Sequence, residues 1–358
     1  MSDRPARFAV AVDGGIVHAR AWGSGPPLLM LHPSPLSSAI FAGFVPVLSP
    51  HVTMIALDTP GYGQSSPLTS PPELLADYVP TVLAFLDGIG LDRVAVYGSA
   101  TGAQLGIELA RLAPDRVAGL ILENAAHFSD ADRERLLKGY FPDLTPVLDG
   151  THLLRGWTMM RETSQVFPWY SGREADRINR VPPPLAMVHA GFLDLLRAGP
   201  DYAVAYRAAF ANERAEQLAK VTVPTKVIRW ESGLLTRWTE VLLDHDLPAN
   251  IKAADAGPGL PARMDCIRTL AVDAAGSLPA ADLSGVVAYS DRASDAAEVP
   301  DVESLPPVRS GAHLLELWQQ LRDRRWWRDV DAAETEPLTA DLDANALQRD
   351  LLAVLDVR

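Results

Sequence analysis

The sequence contains a single cysteine, Cys266, in 358 residues, which excludes an internal disulfide. It has no run of 18 or more apolar residues, so we expect no membrane partner. No apolar stretch near the N-terminus has the form of a secretory signal, which predicts a cytoplasmic protein. The net charge of −13 at pH 7 argues against a nucleic-acid partner. Metal-ligand spacing and a phosphate-binding loop are also absent, so the sequence predicts no metal and no cofactor.

Short apolar runs alternate with amphipathic segments in the first part of the chain. This alternation predicts an α/β fold with a parallel sheet covered on both faces. The core is predicted to comprise residues 1–127 and 221–272, interrupted by a helical cap at 128–220 where the strand signal disappears. Residues 273–358 are predicted to be a connector and a helical extension. The predicted core strands span 26–32, 52–58, 93–98, 117–124, 223–230 and 250–257, and a helix is predicted over 70–90.

Three segments together resemble the α/β-hydrolase superfamily. The segment after the superfamily's third strand, which carries the oxyanion loop, resembles LLMLHPSPLSS in this chain. The turn after its fourth strand resembles ALDTPGYGQSS, and its nucleophile elbow resembles VYGSATGAQLGIELA. The helical insertion also lies where that superfamily has its cap. The resemblance covers roughly residues 6–272. It implies an α/β-hydrolase-like parallel-sheet core with a helical cap insertion and a helical C-terminal extension.

The elbow position that carries the nucleophile in this superfamily is Ala100, whose methyl group cannot attack a substrate. Gly98 and Gly102 flank it, so we expect the sharp turn itself to be intact. The resemblance implies that the backbone amide of Thr101 is one oxyanion-hole donor, and that an amide around Ser34 is the other.

The other two positions of the catalytic triad also look degenerate. Gly233 aligns with the family's acid and Pro258 with its histidine, although the nearby Glu231 and Asp255 remain alternatives. Three degenerate positions favour natural loss of the standard triad over an engineered change of one residue.

Other side chains are candidates for the missing chemistry. Glu123 ends a predicted strand, and dehalogenase-like members draw their acid from that strand end; alternatively, it faces solvent or caps the next turn. Ser99 is either a small packed hydroxyl or, with a one-residue slip of the turn, a displaced nucleophile. His127 and His32 are either at the edge of a pocket or structural.

Two segments of the chain form a repeat. GTHLLRGWTMMRE (150–162) and GAHLLELWQQLRD (311–323) share Gly, His, Leu, Leu, Trp and Arg in register. Two such amphipathic helices are predicted to pack as a pseudo-symmetric lid with a Trp and Leu core. On that interpretation His152 and His313 only begin their helices. Alternatively, they edge the pocket as catalytic bases, because the positive end of the helix dipole favours the neutral ring.

A second alignment of the tail remains open. The strand that ends in the family's catalytic acid also resembles GVVAYSDRASD, and the family's final Gly-x-His segment resembles GAHLLELW. This alignment would pair Asp291 or Asp295 with His313. The nucleophile position is still Ala100 in this alignment.

These observations favour an enzyme that keeps the scaffold without acyl-enzyme chemistry. It would be a cofactor-free lyase, cyclase, isomerase or non-covalent hydrolase that moves a proton on a hydrophobic small molecule. The alternative is a non-catalytic ligand-binding or regulatory protein, supported by the three degenerate positions. A second alternative is an ordinary serine hydrolase with a displaced nucleophile, Ser99. The sequence does not fix the oligomeric state.

Overall fold

The computed structural model describes residues 5–178, 180–287, 306–332 and 343–356, and the side chains of these residues except 323–332 and 356. Within them, eight strands form one sheet: β1 (Ala6–Val12), β2 (Gly15–Trp22), β3 (Pro27–Leu31), β4 (Thr53–Leu57), β5 (Val94–Ser99), β6 (Val117–Glu123), β7 (Thr225–Arg229) and β8 (Ile251–Asp255). The strand order is β1-β2-β4-β3-β5-β6-β7-β8. β1 and β2 pair antiparallel, as do β2 and β4, and the other neighbours pair in parallel.

Helices follow most of the strands, as the alternating pattern predicts. They are α1 (Val45–Leu48), α2 (Val79–Gly88), α3 (Thr101–Leu112), α4 (Asp130–Gly139), α5 (Thr151–Thr163), α6 (Leu185–Ala198), α7 (Ala203–Asn212), α8 (Ala215–Leu218), α9 (Thr236–Leu243), α10 (Gly259–Ala275), α11 (Ala312–Ala332) and α12 (Ala344–Asp356). The helix predicted over 70–90 is too long, because only a 3-10 turn at Leu75–Tyr78 precedes α2. Pro80 would lie inside a helix over 70–90, where it lacks the amide donor and its ring would clash with the carbonyl of Ala76; because α2 begins at Val79, Pro80 instead lies in the first turn, where no donor is needed.

The centre of the sheet is the best-buried part of the described chain. Every residue of β3, β4 and β5 is buried, as expected for strands covered on both faces. α3 packs against β5, β6 and β3, and α10 contacts the same three strands. The predicted α/β-hydrolase-like architecture, with a helical C-terminal extension, is confirmed.

Contacts divide the chain into two compact units. The first contains the residues up to Tyr140, Ile178–Arg180 and Asp201–Ser290, and thus the whole sheet. The second contains Phe141–Arg177, Val181–Pro200 and the described residues of Asp291–Arg358, and thus α5, α6, α11 and α12. No helix in the described part of the chain is long and apolar enough to cross a bilayer.

Candidate functional site

The turn between β5 and α3 has the backbone of a nucleophile elbow. Ala100 has φ 49° and ψ −114°, a conformation that costs an L-residue roughly 1–3 kcal/mol. Its amide donates to the Glu123 carbonyl oxygen at 3.0 Å, and its own carbonyl accepts the Gln104 amide at 3.0 Å. These two bonds tie the turn to β6 and to the first turn of α3. The side chain at this position is nevertheless a methyl group.

The flanking glycines make this geometry possible. A Cβ on Gly98 would lie 2.3 Å from the carbonyl oxygen of Gly102, and a Cβ on Gly102 would lie 2.0 Å from that of Leu31. Both contacts are with backbone, which cannot move aside as a side chain would. The strand and the helix therefore approach this closely only because both positions are glycine.

Three buried hydroxyl groups follow the carboxyl ends of neighbouring strands. Ser34, Thr59 and Thr101 come after β3, β4 and β5, which are adjacent in the sheet. Their side-chain oxygens have no hydrogen-bond partner among the described residues, and the three residues are 7%, 1% and 3% exposed. The Ser34 side chain also interacts with Tyr62, where it opposes the rise that burial causes in the pKa of Tyr62. Buried hydroxyls normally have partners, so the three are candidates to bind water or a ligand.

Sequence reasoning named Ser34 and Thr101 but missed Thr59. The signal for it was available, because Thr59 follows Asp58 in the ALDTPGYGQSS segment that carries part of the family resemblance. His32 was considered for a pocket edge, and both its ring nitrogens bind backbone. Its Nε2 accepts the Thr59 amide at 3.0 Å, which leaves Nδ1 to donate to the Pro33 carbonyl oxygen at 3.1 Å.

Glu123 lies directly beside the elbow and is not a solvent-facing carboxylate. It is 2% exposed, and its two oxygens contact Nε and Nη2 of Arg263 at 2.5 and 2.6 Å. The Tyr97 hydroxyl also donates to it. The interpretation of Glu123 as facing solvent or capping a turn is therefore wrong. Its catalytic role stays a prediction, although both oxygens are occupied by a planar two-point contact.

Arg263 is a site residue that sequence reasoning missed. It lies in the second turn of α10, five residues after the Pro258 that aligns with the family's histidine. Its guanidinium carbon lies 5.4 Å from the ring centroid of Phe44 and 5.1 Å from that of Trp230, within cation–π distance. The partner it binds is 140 positions away, so no local pattern could have indicated the pair.

The two alternative triad residues are not arranged as an acid–histidine pair. Glu231 is exposed. The Asp255 side chain is 68% exposed and contacts Arg229 Nε at 2.5 Å, which lowers the pKa of the aspartate. The Asp255 carboxylate thus pairs with an arginine rather than with a histidine.

Ser99 and His127 each contact residues that are distant in the sequence. Ser99 is 7% exposed, and its Oγ accepts a hydrogen bond from Asn124 Nδ2 at 3.2 Å. Asn124 has φ 53°, in the left-handed region that asparagine tolerates. His127 Nδ1 accepts the Ala215 amide at 3.0 Å, and its ring centroid lies 4.2 Å from that of His245. Burial and the neighbouring His245 lower the pKa of His127.

The two copies of the repeat lie in the second unit and contact each other reciprocally. Trp157 Nε1 on α5 donates to the Arg309 carbonyl oxygen at 3.0 Å. Trp318 Nε1 on α11 donates to the Leu148 carbonyl oxygen at 3.0 Å. These four residues are equivalent in the repeat, since Leu148 stands as far before Trp157 as Arg309 before Trp318. The helices thus form a pseudo-twofold pair.

His152 and His313 occupy equivalent places in this pair. Their Nδ1 atoms accept the amides of Val147 and Val308 at 3.2 and 3.3 Å. Each ring packs edge to face on the tryptophan of the opposite copy, with 4.9 and 5.0 Å between ring centroids. Burial lowers the pKa of both histidines, that of His313 to about 4 with a further contribution from His189. Burial therefore favours the neutral form of both rings, and their catalytic role stays a prediction.

The alternative partners of His313, Asp291 and Asp295, lie outside the described residues. The described part of the proposed acid strand, 285–287, is a turn and bend rather than a strand. Within the ranges that the structure describes, no cluster of three or more His, Cys, Asp or Glu side chains could hold a metal ion.

Two surface depressions belong to the first unit. One has a volume of about 450 Å³ and the other about 280 Å³, with Gly61, Tyr62 and Tyr78 on the wall of the smaller one. Neither is lined by Ala100 or Thr101.

Comparison with known proteins supports the same fold. Residues 26–153 match the family model described as "alpha/beta hydrolase fold". A haloalkane dehalogenase of Mesorhizobium japonicum is 34% identical over 120 residues, which cover 32% of this chain and 38% of the relative. A pimeloyl-[acyl-carrier protein] methyl ester esterase of Nitrosomonas europaea is 33% identical over 111 residues, which cover 30% and 40% of the two chains. The match thus spans about two fifths of each of these relatives.

Solved structures extend the likeness beyond the matched segment. An epoxide hydrolase from an endophytic Streptomyces is 18% identical with a TM-score of 0.57, and the match covers 76% of this chain and 96% of that one. Epoxide hydrolase A from Mycobacterium thermoresistibile is 18% identical with a TM-score of 0.54, and the match covers 80% and 100%. At these identities the likeness shows the fold alone.

Proposed function

We propose, from the premise that the chain belongs to the α/β-hydrolase superfamily, that it binds a small molecule at the elbow without forming a covalent intermediate. The observation that carries this proposal is Ala100. It holds the strained backbone of a nucleophile position, φ 49° and ψ −114°, with a side chain that cannot react. A covalent step through this turn therefore has no attacking atom.

Donors remain where the reactive side chain is missing. The Thr101 amide opens α3, and first-turn amides have no partner within their own helix. The buried hydroxyls of Ser34, Thr59 and Thr101 follow three adjacent strands. Together they could hold an oxygen atom of a ligand, such as a carbonyl, alkoxide or carboxylate oxygen, because hydroxyls and amides donate to oxygen acceptors.

The ligand class follows only in outline from the relatives. Their names describe a haloalkane dehalogenase, an esterase for a pimeloyl methyl ester carried on an acyl-carrier protein, and epoxide hydrolases. We extend to this chain only the small size of the organic group that these names describe. That the ligand is hydrophobic stays a prediction from the sequence.

A second candidate is cofactor-free proton-transfer catalysis at the same elbow, as in a lyase, cyclase, isomerase or non-covalent hydrolase. The Thr101 amide favours it, because a fixed donor can stabilise an enolate or alkoxide. Such an enzyme also needs a base. Glu123 is held by Arg263 and Tyr97, and both ring nitrogens of His32 bind backbone. Binding without turnover is therefore the better supported function, and His152 and His313 remain the predicted bases of the alternative.

Two labelling experiments test the proposal. Intact mass after incubation with a fluorophosphonate should show no adduct; an adduct mapped to Ser99 would instead establish a displaced nucleophile. In the second experiment, Ala100→Cys is introduced into a Cys266→Ser background, and the thiol is alkylated with iodoacetamide. Cys266→Ser alone is the control, because Cys266 is the only native cysteine.

The protection pattern identifies the ligand. A panel of small esters, epoxides, ketones and carboxylates is added before alkylation, and a bound compound should slow the reaction by occupying the elbow. Thr59→Val and Thr101→Val should weaken this protection, whereas Thr53→Val should not, because the Thr53 hydroxyl is bound to the Gly25 carbonyl oxygen at 2.9 Å at the start of β4. If no compound protects, or if Thr53→Val weakens protection equally, the proposed site is wrong. Turnover of a protecting compound would favour the catalytic alternative.

A further inference from the structure

We propose that α5 and α6 carry a self-complementary dimerisation surface, and that the partner this surface fits is a second copy of this chain. Within one chain, α11 and α12 cover the surface. A chain whose α11 is displaced should therefore pair with another chain, with α5 against α5 and α6 against α6. The proposal is independent of what binds at the elbow, since all of its groups belong to the second unit.

The side chains that cross between the two repeat copies are the same in both. The crossing positions hold glycine, histidine, leucine and tryptophan, which are Gly150, His152, Leu154 and Trp157 in the first copy and Gly311, His313, Leu315 and Trp318 in the second. A Cβ on either glycine would lie 3.1 Å from the leucine of the other copy, and each histidine ring packs on the tryptophan of the other copy. Both sides of the contact are thus built from one set of side chains.

Two positions at which the copies differ face away from this contact. Gly156 corresponds to Leu317, and a Cβ on Gly156 would first meet Phe192 and Leu195 at 3.2 and 3.3 Å, both on α6 of the same copy. The next difference, arginine at 155 and glutamate at 316, falls on two exposed residues. These differences would therefore not hinder an α5 helix from taking the place of α11.

The acceptors of the two tryptophans do not depend on side-chain identity. Trp157 donates to the carbonyl oxygen of Arg309, and Trp318 donates to that of Leu148. Arginine and leucine differ, but only their main-chain oxygens accept these bonds. In a pair of α5 helices, each Trp157 would find the Leu148 carbonyl oxygen of the other chain, which accepts from Trp318 in the single chain.

The second helices of the two copies, α6 and α12, share the same apolar spacing. Buried apolar side chains stand at the first, fifth and eighth positions of a matching stretch: Val188, Phe192 and Leu195 on α6, and Leu347, Leu351 and Val354 on α12. This spacing places three side chains on one face of a helix. α12 contacts α6, as α11 contacts α5. An α6 helix from a second chain would therefore present an apolar face like the one that α12 supplies.

Self-complementarity is what a twofold homodimer requires, because both subunits contribute the same patch to its interface. Covalent linkage gives α11 a higher effective concentration at α5 than a second chain has in dilute solution. The intact chain should therefore cover its own α5 face. Displacement of α11 removes this advantage and leaves the face available to another copy.

The test uses the full-length protein with one copy blocked. In Gly311→Leu the new side chain would collide with Trp157, because a Cβ alone would already lie 2.8 Å from its ring, so α11 is displaced while the sequence of α5 is kept. Sedimentation equilibrium at micromolar concentrations should then show a molar mass that rises to twice that of the wild type. Every chain carries the blocked α11, so an exchange of α11 helices between chains cannot produce this dimer.

Two controls accompany this variant. Adding Gly150→Leu to Gly311→Leu exposes the same apolar face but obstructs the position that Trp157 of a second chain would enter, so the mass should stay at the wild-type value. Gly172→Leu tests glycine replacement elsewhere in the second unit, where a Cβ would meet nothing within 4 Å, and should also leave the mass unchanged.

Trp318→Ala provides a second way to displace α11, since it removes an indole that is 1% exposed without altering the glycine turn. Its mass should also double, whereas that of Trp157→Ala with Trp318→Ala should not. A wild-type mass in both Gly311→Leu and Trp318→Ala would overturn the proposal. Association of the doubly substituted variants to the same extent as the single ones would also overturn it, because exposed apolar surface alone would then account for the dimer.

Discussion

Arg263→Met tests whether the ion pair beneath the elbow is needed for stability. The Glu123 side chain is only 3% exposed, and Arg263 meets both of its oxygens at 2.5 and 2.6 Å. Methionine keeps much of the packing against Phe44 and Trp230 but removes the charge. Glu123 would then be a buried carboxylate with Tyr97 as its remaining donor. Breaking a buried pair from one side costs about 3–5 kcal/mol of unfolding free energy.

Removing the charge of Glu123 instead of that of Arg263 should lower the free energy of unfolding by less. In Glu123→Gln the unpaired group is Arg263, whose side chain is 15% exposed and can reach water. We therefore expect a loss of about 1–2 kcal/mol. The double variant, Glu123→Gln with Arg263→Met, should be more stable than Arg263→Met alone. Glutamine leaves no buried charge, and its side-chain oxygen can still accept the hydrogen bond from the Tyr97 hydroxyl. Urea denaturation at pH 7 gives the free energies of all four proteins, and their double-mutant cycle isolates the pair.

Two outcomes would refute this reasoning. A loss below about 1 kcal/mol in Arg263→Met would mean that water reaches Glu123 and that the pair behaves as a surface salt bridge. A double variant no more stable than Arg263→Met would mean that arginine acts through packing over the aromatic rings rather than through charge.

Three further predictions concern the described residues. Gly102→Ala should lower the free energy of unfolding in denaturant by at least ~2 kcal/mol, because the new Cβ would lie 2.0 Å from a backbone carbonyl oxygen. Gly106→Ala is the control and should cost less, because its Cβ would first meet a leucine methyl at 3.1 Å. Trp157→Phe and Trp318→Phe should each lower stability by the same amount, about 1 kcal/mol or more in thermal unfolding, since each loses one equivalent 3.0 Å hydrogen bond; a clear difference would argue against the pseudo-symmetry. Burial opposes ionisation of Asp58, but its histidine and arginine partners outweigh burial and hold the pKa of Asp58 well below the usual range. The ionised carboxylate therefore stabilises the fold above about pH 4, and this stabilisation is lost below it. Asp58→Asn should accordingly reduce the loss of unfolding free energy on the acid side of the pH profile.

The strands were predictable because their signal is local. The apolar runs predicted at 26–32 and 52–58 correspond to β3 and β4, with errors of one residue at each end. The elbow was predictable for a similar reason: glycine at 98 and at 102 is needed because both positions meet backbone. The helix predicted over 70–90 was too long because the apolar periodicity continues through Pro80, which a helix tolerates in its first turn but not in its interior.

The repeat shows how far a sequence pattern extends. Identical residues at a constant spacing predicted two similar amphipathic helices, but not that each tryptophan would bind the backbone of the other copy. In retrospect, Gly150 and Gly311 carry that information. A Cβ on either would lie within 3 Å of the indole ring of the opposite copy, so the partner requires glycine there in addition to the positive φ of 74° or 81° at each helix start. Without coordinates, such a requirement is indistinguishable from an ordinary helix start.

The persistence of the elbow does not by itself indicate catalysis. This turn is determined by contacts that do not depend on the side chain at position 100. They are the hydrogen bond from the amide of residue 100 to the Glu123 carbonyl oxygen, the close backbone contacts of Gly98 and Gly102, and the ion pair of Glu123 with Arg263. Packing is therefore a sufficient reason to keep the strained backbone. It gives no reason to bury the hydroxyls of Thr59 and Thr101 without partners, since valine has nearly the same shape and no desolvation cost. The threonines, more than the strained alanine, argue that something polar binds there.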